Sequence, residues 1–296
     1  MEIINVIPRG FCKGVVRAIE IAKQTAKAYP GQKITILGEL VHNRFVVESL
    51  KNEGIETIED KSLSRMDLLE RITEGVVIFS AHGIADDVVA RAKAKGLITV
   101  NAACDDVLHT QELIKTYLAQ GFRILYIGQR NHPESQAAIS IDPLRIVLIE
   151  TLDDLPKSFE QETRIFVTNQ TTMSQYDIRQ ILSSIGDTYP QAIISDEICS
   201  ATRTRQEAIM NLENVDCLLV VGDVRSNNTA MLAKIGLTKG IPHVERIESA
   251  DELDLSSLRG SERIAVTAGA STPYFLIKQV LDSLETLKRS LDSAVR

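Results

Sequence analysis

The sequence predicts an α/β protein made of three similar small domains. Short apolar segments typical of buried strands alternate with segments in which apolar residues recur every three or four positions, as on one face of a helix. Cysteine also recurs at nearly constant intervals, 92 residues from Cys12 to Cys104 and 95 residues from Cys104 to Cys199. Each of these cysteines directly precedes a helical segment. The spacing therefore predicts three copies of one unit around a shared centre.

The alternation of strands and helices also gives the bounds of the predicted domains. The first domain covers residues 14–103, with Cys12 at its start, and the second covers residues 104–195. The third covers residues 196–296 together with an N-terminal strand in residues 1–13. No low-complexity segment or long linker separates them, so we expect closely packed domains.

The predicted elements follow the two hydrophobic periods along the chain. In the first domain we predict helices at 15–28, 46–53 and 86–95, and strands at 33–37, 76–79 and 97–100. In the second we predict helices at 107–119 and 174–185, and strands at 123–127, 146–149 and 164–167. In the third we predict helices at 204–211, 229–239 and 274–289, and strands at 217–221 and 264–267.

Composition and charge exclude several classes of protein. The net charge of −7 offers no general attraction for nucleic acid or for an anionic membrane surface. Apolar runs such as residues 217–221 are far too short to span a bilayer. Residues 1–7 have the pattern of a strand and lack the features of a signal peptide, so we expect a cytoplasmic protein. In that compartment the four cysteines are more typical of thiols or metal ligands than of disulfides.

Three of the four cysteines are candidate metal ligands. A helix start with Arg9 and Lys13 beside Cys12 favours the thiolate, which is the metal-binding form. Three such thiolates could hold zinc, an iron–sulfur cluster or no metal. Structural zinc prefers four ligands in closely spaced pairs, and a [4Fe–4S] cluster normally takes four cysteines, so three would leave one iron open to a substrate oxygen. Cys217 lies in an apolar strand and is predicted to be a buried cysteine that binds no metal.

Six polar loops repeat at the same intervals as the cysteines. They follow the respective cysteine by 28–30 and by 67–72 residues and contain His42, His82, His132, Thr171, Asn228 and Ser271. Because parallel α/β sheets bind ligands at the carboxyl ends of their strands, we expect these loops to face one pocket. Among their side chains, those of His42, His82, Asn228 and Ser271, together with Ser226, offer hydrogen bonds to an anion. The chain has neither of the glycine-rich nucleotide-binding fingerprints, which counts against a nucleotide.

Glu134 is the candidate proton donor. It lies in Asn131-His132-Pro133-Glu134, and the repeat places it beside Thr171. A carboxyl group in a closed pocket near a metal centre and an anion can be held protonated and can donate its proton. Without the repeat, the same residue would be interpreted as a solvated glutamate in a turn.

Eight short motifs resemble those of the 4-hydroxy-3-methylbut-2-enyl diphosphate reductase family, in the same order, from residue 1 to about residue 285. They are Pro8-Arg9-Gly10-Phe11-Cys12, Val41-His42-Asn43, Ser80-Ala81-His82-Gly83, His132-Pro133-Glu134, Gln170-Thr171-Thr172, Ile198-Cys199, Arg205-Gln206 and Thr267-Ala268-Gly269-Ala270-Ser271. The resemblance implies a pseudo-threefold arrangement of the three domains around a central, oxygen-sensitive [4Fe–4S] cluster. It makes Cys12, Cys104 and Cys199 the three cluster ligands.

The resemblance also implies an oxidoreductase of isoprenoid biosynthesis by the methylerythritol phosphate pathway. Such an enzyme removes the hydroxyl of an allylic diphosphate to give isopentenyl and dimethylallyl diphosphates, with electrons from ferredoxin or flavodoxin. The implied catalytic residues are Glu134, Thr171 and His132. The implied substrate contacts are His42, His82, His132, Thr171, Ser226, Asn227, Asn228 and Ser271.

The chain departs from the family pattern in three loops. Asn101-Ala102-Ala103-Cys104-Asp105 stands where the family usually has Asp-Ala-Thr-Cys-Pro, Gly128-Gln129 replaces Gly-His, and Ser226-Asn227-Asn228 replaces Ser-Ser-Asn. These changes leave open a paralogue that acts on another allylic diphosphate, or a weakly active homologue. Two further alternatives stand beside the reductase. One is a family member whose cluster serves another reduction or redox sensing, and the other is a non-redox protein that binds a phosphorylated metabolite, with its cysteines buried or holding zinc.

Overall fold

The computed structural model describes residues 1–159, 163–258 and 260–294, and the chain divides into two compact units. The first comprises Met1–Lys13, His42–Val46 and Ser200–Arg296 and contains one sheet; we call it the one-sheet unit. The second comprises Gly14–Val41 and Val47–Cys199 and contains two sheets; we call it the two-sheet unit. Residue 296, the predicted end of the third domain, lies outside the described residues.

The strands of the described residues form three parallel sheets of four. In chain order the strands are β1 (Glu2–Asn5), β2 (Ile34–Leu37), β3 (Ile55–Ile58), β4 (Val76–Phe79), β5 (Ile98–Asn101), β6 (Arg123–Ile127), β7 (Ile146–Ile149), β8 (Ile165–Asn169), β9 (Ile193–Ile194), β10 (Cys217–Val221), β11 (His243–Ile247) and β12 (Arg263–Ala268). The sheet orders are β3-β2-β4-β5, β7-β6-β8-β9 and β11-β10-β12-β1. Every pairing is parallel. The three orders are equivalent, which confirms the predicted α/β class with three similar domains.

The helices connect these strands and begin close to the predicted loops. The described helices are α1 (Lys13–Ala28), α2 (Arg44–Asn52), α3 (Arg65–Glu70), α4 (Asp86–Ala94), α5 (Asp105–Ala119), α6 (Pro133–Ile139), α7 (Asp177–Thr188), α8 (Ser200–Met210), α9 (Asn227–Lys239) and α10 (Tyr274–Ala294). Helix α6 begins with proline, whose missing N–H has no partner to lose at that position. Helix α9 is followed by Gly240, whose φ of 85° is readily adopted by glycine. None of the described helices is both long and apolar enough to cross a bilayer.

The hydrophobic core is built on the central strands. Every residue of β2, β4 and β10 is buried, as expected for parallel strands that are covered on both faces. Fully burying one large aliphatic or aromatic side chain contributes about 1.5–3 kcal/mol. This packing fixes the carboxyl ends of the strands, from which the loops with the predicted site residues extend.

Among the described residues, five of the strands and α-helices were not predicted from the sequence. Strands β3 and β11 are sheet edges that carry exposed residues such as Glu56 and Arg246, so an apolar run does not mark them. Strand β9 has only two residues. Helices α3 and α6 have six and seven residues, too few to display a helical period. The helix predicted to begin at 174 begins later because the Ser174 hydroxyl accepts the backbone N–H groups of Tyr176 and Asp177 in a preceding turn.

Candidate active site

The three candidate cysteine ligands occupy the same position in the three repeats. Cys12 precedes α1, Cys104 is the residue that caps α5, and Cys199 precedes α8. All three are partly buried. Each follows an edge strand, β1, β5 or β9, at the same end of its sheet order. The common fold therefore places the three thiols alike.

One backbone hydrogen bond recurs at all three cysteines. The N–H of Cys104 donates to Ala81 O at 3.0 Å, that of Cys199 to Thr171 O at 3.1 Å, and that of Cys12 to Ala270 O at 3.1 Å. The acceptors lie in the loops that follow β4, β8 and β12, which are the predicted loops 67–72 residues after each cysteine. Each cysteine is thereby fixed to a polar loop by backbone geometry.

Cys217 differs from the other three cysteines. It is the first residue of β10 and is completely buried. Burial, with smaller contributions from Glu245 and Asp216, raises the pKa of its thiol to about 12. Cys217 is therefore held as a neutral thiol in the core, where it packs as a small apolar side chain.

The unusual residues around Cys104 have local structural roles. The Asn101 side chain accepts the Ala103 N–H at 2.9 Å, as an aspartate would. Arg17 donates to Ala103 O at 2.7 Å and lies 3.3 Å from the exposed carboxylate of Asp105. Asn101 and Asp105 thus hold the turn and the helix start beside Cys104.

Glu134 and Thr171 form a buried pair in the two-sheet unit. Glu134 Oε1 accepts the Thr171 N–H at 2.7 Å, and Oε2 accepts the Thr171 hydroxyl at 3.1 Å. Glu134 is only 4% exposed. Burial raises the pKa of the Glu134 carboxyl to about 7; the two bonds from Thr171 oppose this shift, and the charge of Asp106 adds to it. The carboxyl can therefore carry a proton at neutral pH.

His132 connects this pair to a second histidine. It caps α6, and its Nδ1 accepts the Glu134 N–H at 3.2 Å, so in this arrangement its ring proton lies on Nε2. The His82 ring lies edge-on to the His132 ring, with centroids 5.5 Å apart, and Ser80 Oγ lies 3.3 Å from His82 Nδ1. The two-sheet unit therefore brings together two imidazoles, a protonatable carboxyl and a hydroxyl.

Gln170 supports the Glu134–Thr171 pair and was not predicted as a site residue. Its Oε1 accepts the Gln129 N–H at 3.0 Å and the Ser135 hydroxyl at 3.2 Å, and its Nε2 donates to Thr172 at 2.8 Å. A Cβ at Gly128 would lie 2.6 Å from Ser135 Oγ, so the close approach needs glycine. Gln129 contributes its backbone N–H, which explains how the loop tolerates a residue unusual for the family. The only sequence signal for Gln170 was its position in a matched motif.

In the one-sheet unit, three predicted contacts lie at the start of α9. Ser226 caps this helix by accepting the Thr229 N–H at 3.3 Å, and its hydroxyl hydrogen can still be donated. Asn227 and Asn228 form the first turn, and all three residues are less than 10% exposed. The N-terminal end of a helix carries partial positive charge and exposed N–H groups, which favours an anion.

His42 and Ser271 are joined to this helix start by hydrogen bonds. The Ser271 hydroxyl donates to His42 O at 3.0 Å. Asn228 Oδ1 accepts the Ala270 N–H at 3.0 Å, and Asn228 Nδ2 donates to the Thr202 hydroxyl at 3.3 Å. One N–H of the Asn228 amide is left for a ligand. Thr202 was not predicted; it lies three residues after Cys199, where the other two repeats have valine, and nothing in its own pattern marked it.

The chain is similar to known proteins over nearly its whole length. The family model described as LytB protein matches residues 3–285. A 4-hydroxy-3-methylbut-2-enyl diphosphate reductase of Geobacillus sp. (strain WCH70) is 43% identical over 96% of this chain and 90% of that protein. The protein of the same name from Listeria monocytogenes serotype 4b (strain CLIP80459) is 44% identical over 96% of this chain and 86% of its own length.

Two solved structures resemble the chain over nearly its full length. The E-1-hydroxy-2-methyl-but-2-enyl-4-diphosphate reductase from Plasmodium falciparum has a TM-score of 0.89 and 29% identity, and covers 95% of this chain and 87% of that one. A structure of (E)-4-hydroxy-3-methyl-but-2-enyl diphosphate reductase, the terminal enzyme of the non-mevalonate pathway, has a TM-score of 0.68 and 29% identity, and covers 97% of this chain and 100% of that one. The chain therefore belongs to the LytB family of reductases, as its motifs predict.

Proposed function

We propose that this protein reduces 4-hydroxy-3-methylbut-2-enyl diphosphate to isopentenyl and dimethylallyl diphosphates, the reaction of the enzymes to which it is similar. The observation that carries the proposal in this chain is the buried Glu134–Thr171 pair beside His132. Replacing a hydroxyl group by hydrogen consumes two electrons and two protons and releases water. An acid inside the site is therefore as necessary as a source of electrons.

Glu134 supplies this acid in our proposal. Its raised pKa keeps a large fraction of the carboxyl protonated at neutral pH. The Thr171 hydroxyl, 3.1 Å from the carboxyl, is placed to relay the proton to the departing oxygen. The Nε2–H of His132 donates a hydrogen bond to the substrate and orients it.

The donor set fits an iron–sulfur cluster. The common fold fixes the partly buried Cys12, Cys104 and Cys199 alike in three equivalent repeats, whereas Cys217 is buried in a strand. We infer that the first three are the ligands of one [4Fe–4S] cluster. When bound, the cluster supplies the electrons for the reduction and has one iron without a cysteine ligand.

The diphosphate group is held mainly by neutral donors. The diphosphate binds at the start of α9, which is formed by Ser226, Asn227 and Asn228. Further hydrogen bonds come from His42, His82 and Ser271. Hydrogen bonds to a charged group are stronger than those between neutral groups, so several of them can hold a diphosphate without a cluster of lysines.

The electrons come from a small carrier protein of the ferredoxin or flavodoxin type. We infer that the reaction takes place in the cytoplasm, whose reducing conditions disfavour disulfides and preserve an oxygen-sensitive cluster.

An anaerobic turnover assay tests the proposed function. The purified protein, with its iron and sulfide content measured, is given a chemical reductant and 4-hydroxy-3-methylbut-2-enyl diphosphate, and the products are separated. We expect both C5 diphosphates. A protein that carries iron and sulfide but forms neither product would contradict the proposal and favour a different substrate or a sensing role.

A further inference from the structure

Two acidic side chains join the loop of His42 to the loop that begins α9. The first is Asp223, which follows β10 and is 2% exposed. Its Oδ2 accepts the backbone N–H of Arg44 at 3.1 Å, across 179 residues of sequence. Its Oδ1 accepts the backbone N–H of Arg225 at 2.9 Å. The Asp223 carboxylate thus binds the backbone of Arg44, two residues after His42, and the backbone of Arg225, which precedes Ser226.

The second acidic side chain is Glu248, which follows β11. Its Oε2 lies 2.6 Å from Arg44 Nε, and its Oε1 accepts the Val224 N–H at 3.4 Å. The Glu248 side chain is only 13% exposed. The two carboxylates therefore bridge the same two loops in parallel, one through the backbone of Arg44 and one through its guanidinium.

The other sides of the two loops are also fixed. The Asn43 side chain accepts the N–H groups of Phe45 and Val46 at 3.1 and 3.2 Å, which anchors the start of α2. The carbonyl of His42 accepts the Ser271 hydroxyl. With these bonds in place, the position of His42 relative to Ser226 depends on the contacts of Arg44 with Asp223 and Glu248.

We propose that Asp223 and Glu248 are positioning residues that set the spacing between His42 and the N-terminal end of α9, and so pre-form the diphosphate site. The role rests on the proposed function for its ligand. Neither residue touches the substrate. The negative charge of Asp223 would by itself weaken the binding of an anion nearby. Arg225 compensates this charge by donating from Nε and Nη2 to the two oxygens of Asp223 at 2.9 and 2.6 Å.

This arrangement predicts an effect on substrate binding with little effect on the chemical step. Asp223→Ala removes the acceptor for the Arg44 N–H and leaves the Arg225 guanidinium without its carboxylate. We expect the KM for 4-hydroxy-3-methylbut-2-enyl diphosphate to rise about tenfold or more, because a misplaced donor forfeits hydrogen bonds to a charged group. We expect kcat to change much less. Asp223→Asn keeps an oxygen for the Arg44 N–H and should raise KM by an intermediate factor.

Asp216 is the matched control at the other end of the same strand. It precedes β10, and its Oδ2 accepts the backbone N–H groups of Glu262 and Arg263 at 2.9 and 2.8 Å. Asp216→Ala therefore removes a comparable link between carboxylate and backbone in the same unit, far from the start of α9. It should lower the melting temperature and leave KM unchanged.

The experiment measures kcat, KM and melting temperature for the anaerobic holoenzyme and its variants, together with the affinity for inorganic diphosphate. A rise in KM and a weaker diphosphate affinity in Asp223→Ala, absent in Asp216→Ala, are the expected result. Unchanged KM in Asp223→Ala, or an equal rise in both variants, overturns the positioning role. Should Asp223→Ala fail to fold, Asp223→Asn and Glu248→Gln give the same comparison. Should the wild type bind inorganic diphosphate but fail to turn over, the proposed function is wrong, and the diphosphate affinities still decide the role of Asp223.

Discussion

Glu134, in the first turn of α6, and Asp223, in the loop after β10, are both buried carboxyl groups, yet their environments favour opposite charge states. Burial raises the pKa of the Glu134 carboxyl to about 7. Burial also acts to raise the pKa of the Asp223 carboxyl, but the hydrogen bonds and positive charge of Arg225, with the N–H of Arg44, outweigh it and hold this pKa below its ordinary value. The described hydrogen bonds of Glu134 come from Thr171, which is neutral.

The difference teaches that the partner of a buried acid, rather than burial itself, decides its role. Asp223 has a guanidinium partner, remains ionised and can act as a structural anchor. Glu134 has only neutral donors and can retain a proton to give away. We therefore expect changes around Glu134 to act on kcat, and changes around Asp223 and the start of α9 to act on KM.

The largest effect is expected from the cysteines, without which neither carboxyl has a reaction to support. Single replacement of Cys12, Cys104 or Cys199 by Ser should abolish or cripple cluster assembly and turnover. Cys217→Ser is the control, because the Cys217 thiol is buried in β10. The cluster content of this variant should be normal. Iron and sulfide analysis of anaerobically prepared variants measures the effect. Full cluster occupancy in Cys104→Ser would contradict the three-ligand proposal.

Glu134→Gln should have the next largest effect. The amide keeps the size and the acceptor for the Thr171 N–H but has no acidic proton. General acid catalysis contributes about 10²–10⁴-fold, so kcat should fall by that factor while cluster content and KM are retained. Asp105→Asn is the control, since Asp105 is exposed and paired with Arg17. Near-normal kcat in Glu134→Gln with a collapse in Asp105→Asn would move the acid to Asp105.

The raised pKa of Glu134 should also appear in the stability of the protein. The pKa of this carboxyl is about 7 in the folded chain and 4.5 at its ordinary value, so between these values the folded state binds more protons. The stability due to the protonated carboxyl is fully present below pH 4.5 and is lost as the pH rises through 7, by about 3 kcal/mol. The urea midpoint of the wild type should fall over this range relative to that of Glu134→Gln. Urea midpoints that change with pH in the same way in the two proteins would mean that the Glu134 carboxyl has its ordinary pKa in the folded state.

Changes at the start of α9 should give the opposite kinetic pattern. In our proposal Ser226→Ala and Asn228→Ala each remove a hydrogen bond to the diphosphate, worth about 1.5–3 kcal/mol, or about ten- to a hundredfold in affinity. KM should rise by about this factor, with kcat and cluster content nearly unchanged. Thr238→Ala, at an exposed hydroxyl near the far end of α9, is the control. Unchanged KM in both site variants would place the anion site elsewhere.

The sequence predicted the repeat and the pairing of Glu134 with Thr171, because both follow from matched intervals between cysteines and loops. It did not predict strands β3 and β11, because edge strands keep exposed polar residues. It also missed Asp223 and Glu248. Their importance lies in contacts with Arg44 that span most of the chain, and a charged residue after a strand carries no local sign of such a partner. Residues that touch a ligand recur in motifs, whereas residues that position them are identified by the fold.

The smallest effect we expect is the pH dependence of turnover, and it separates the two carboxyls most directly. A general acid must be protonated to act, and burial holds the pKa of Glu134 at about 7. From pH 7 to pH 8 the protonated fraction, and with it kcat, should fall about fivefold. Arg225 holds the pKa of Asp223 below its ordinary value, so this carboxylate stays ionised over the same range and adds no pH dependence of its own to KM. Steady-state kinetics between pH 6 and pH 8.5 measure both, with Glu134→Gln as the control whose residual kcat should lose this fall. A wild-type kcat that is constant to pH 8 would show that the proton comes from another group.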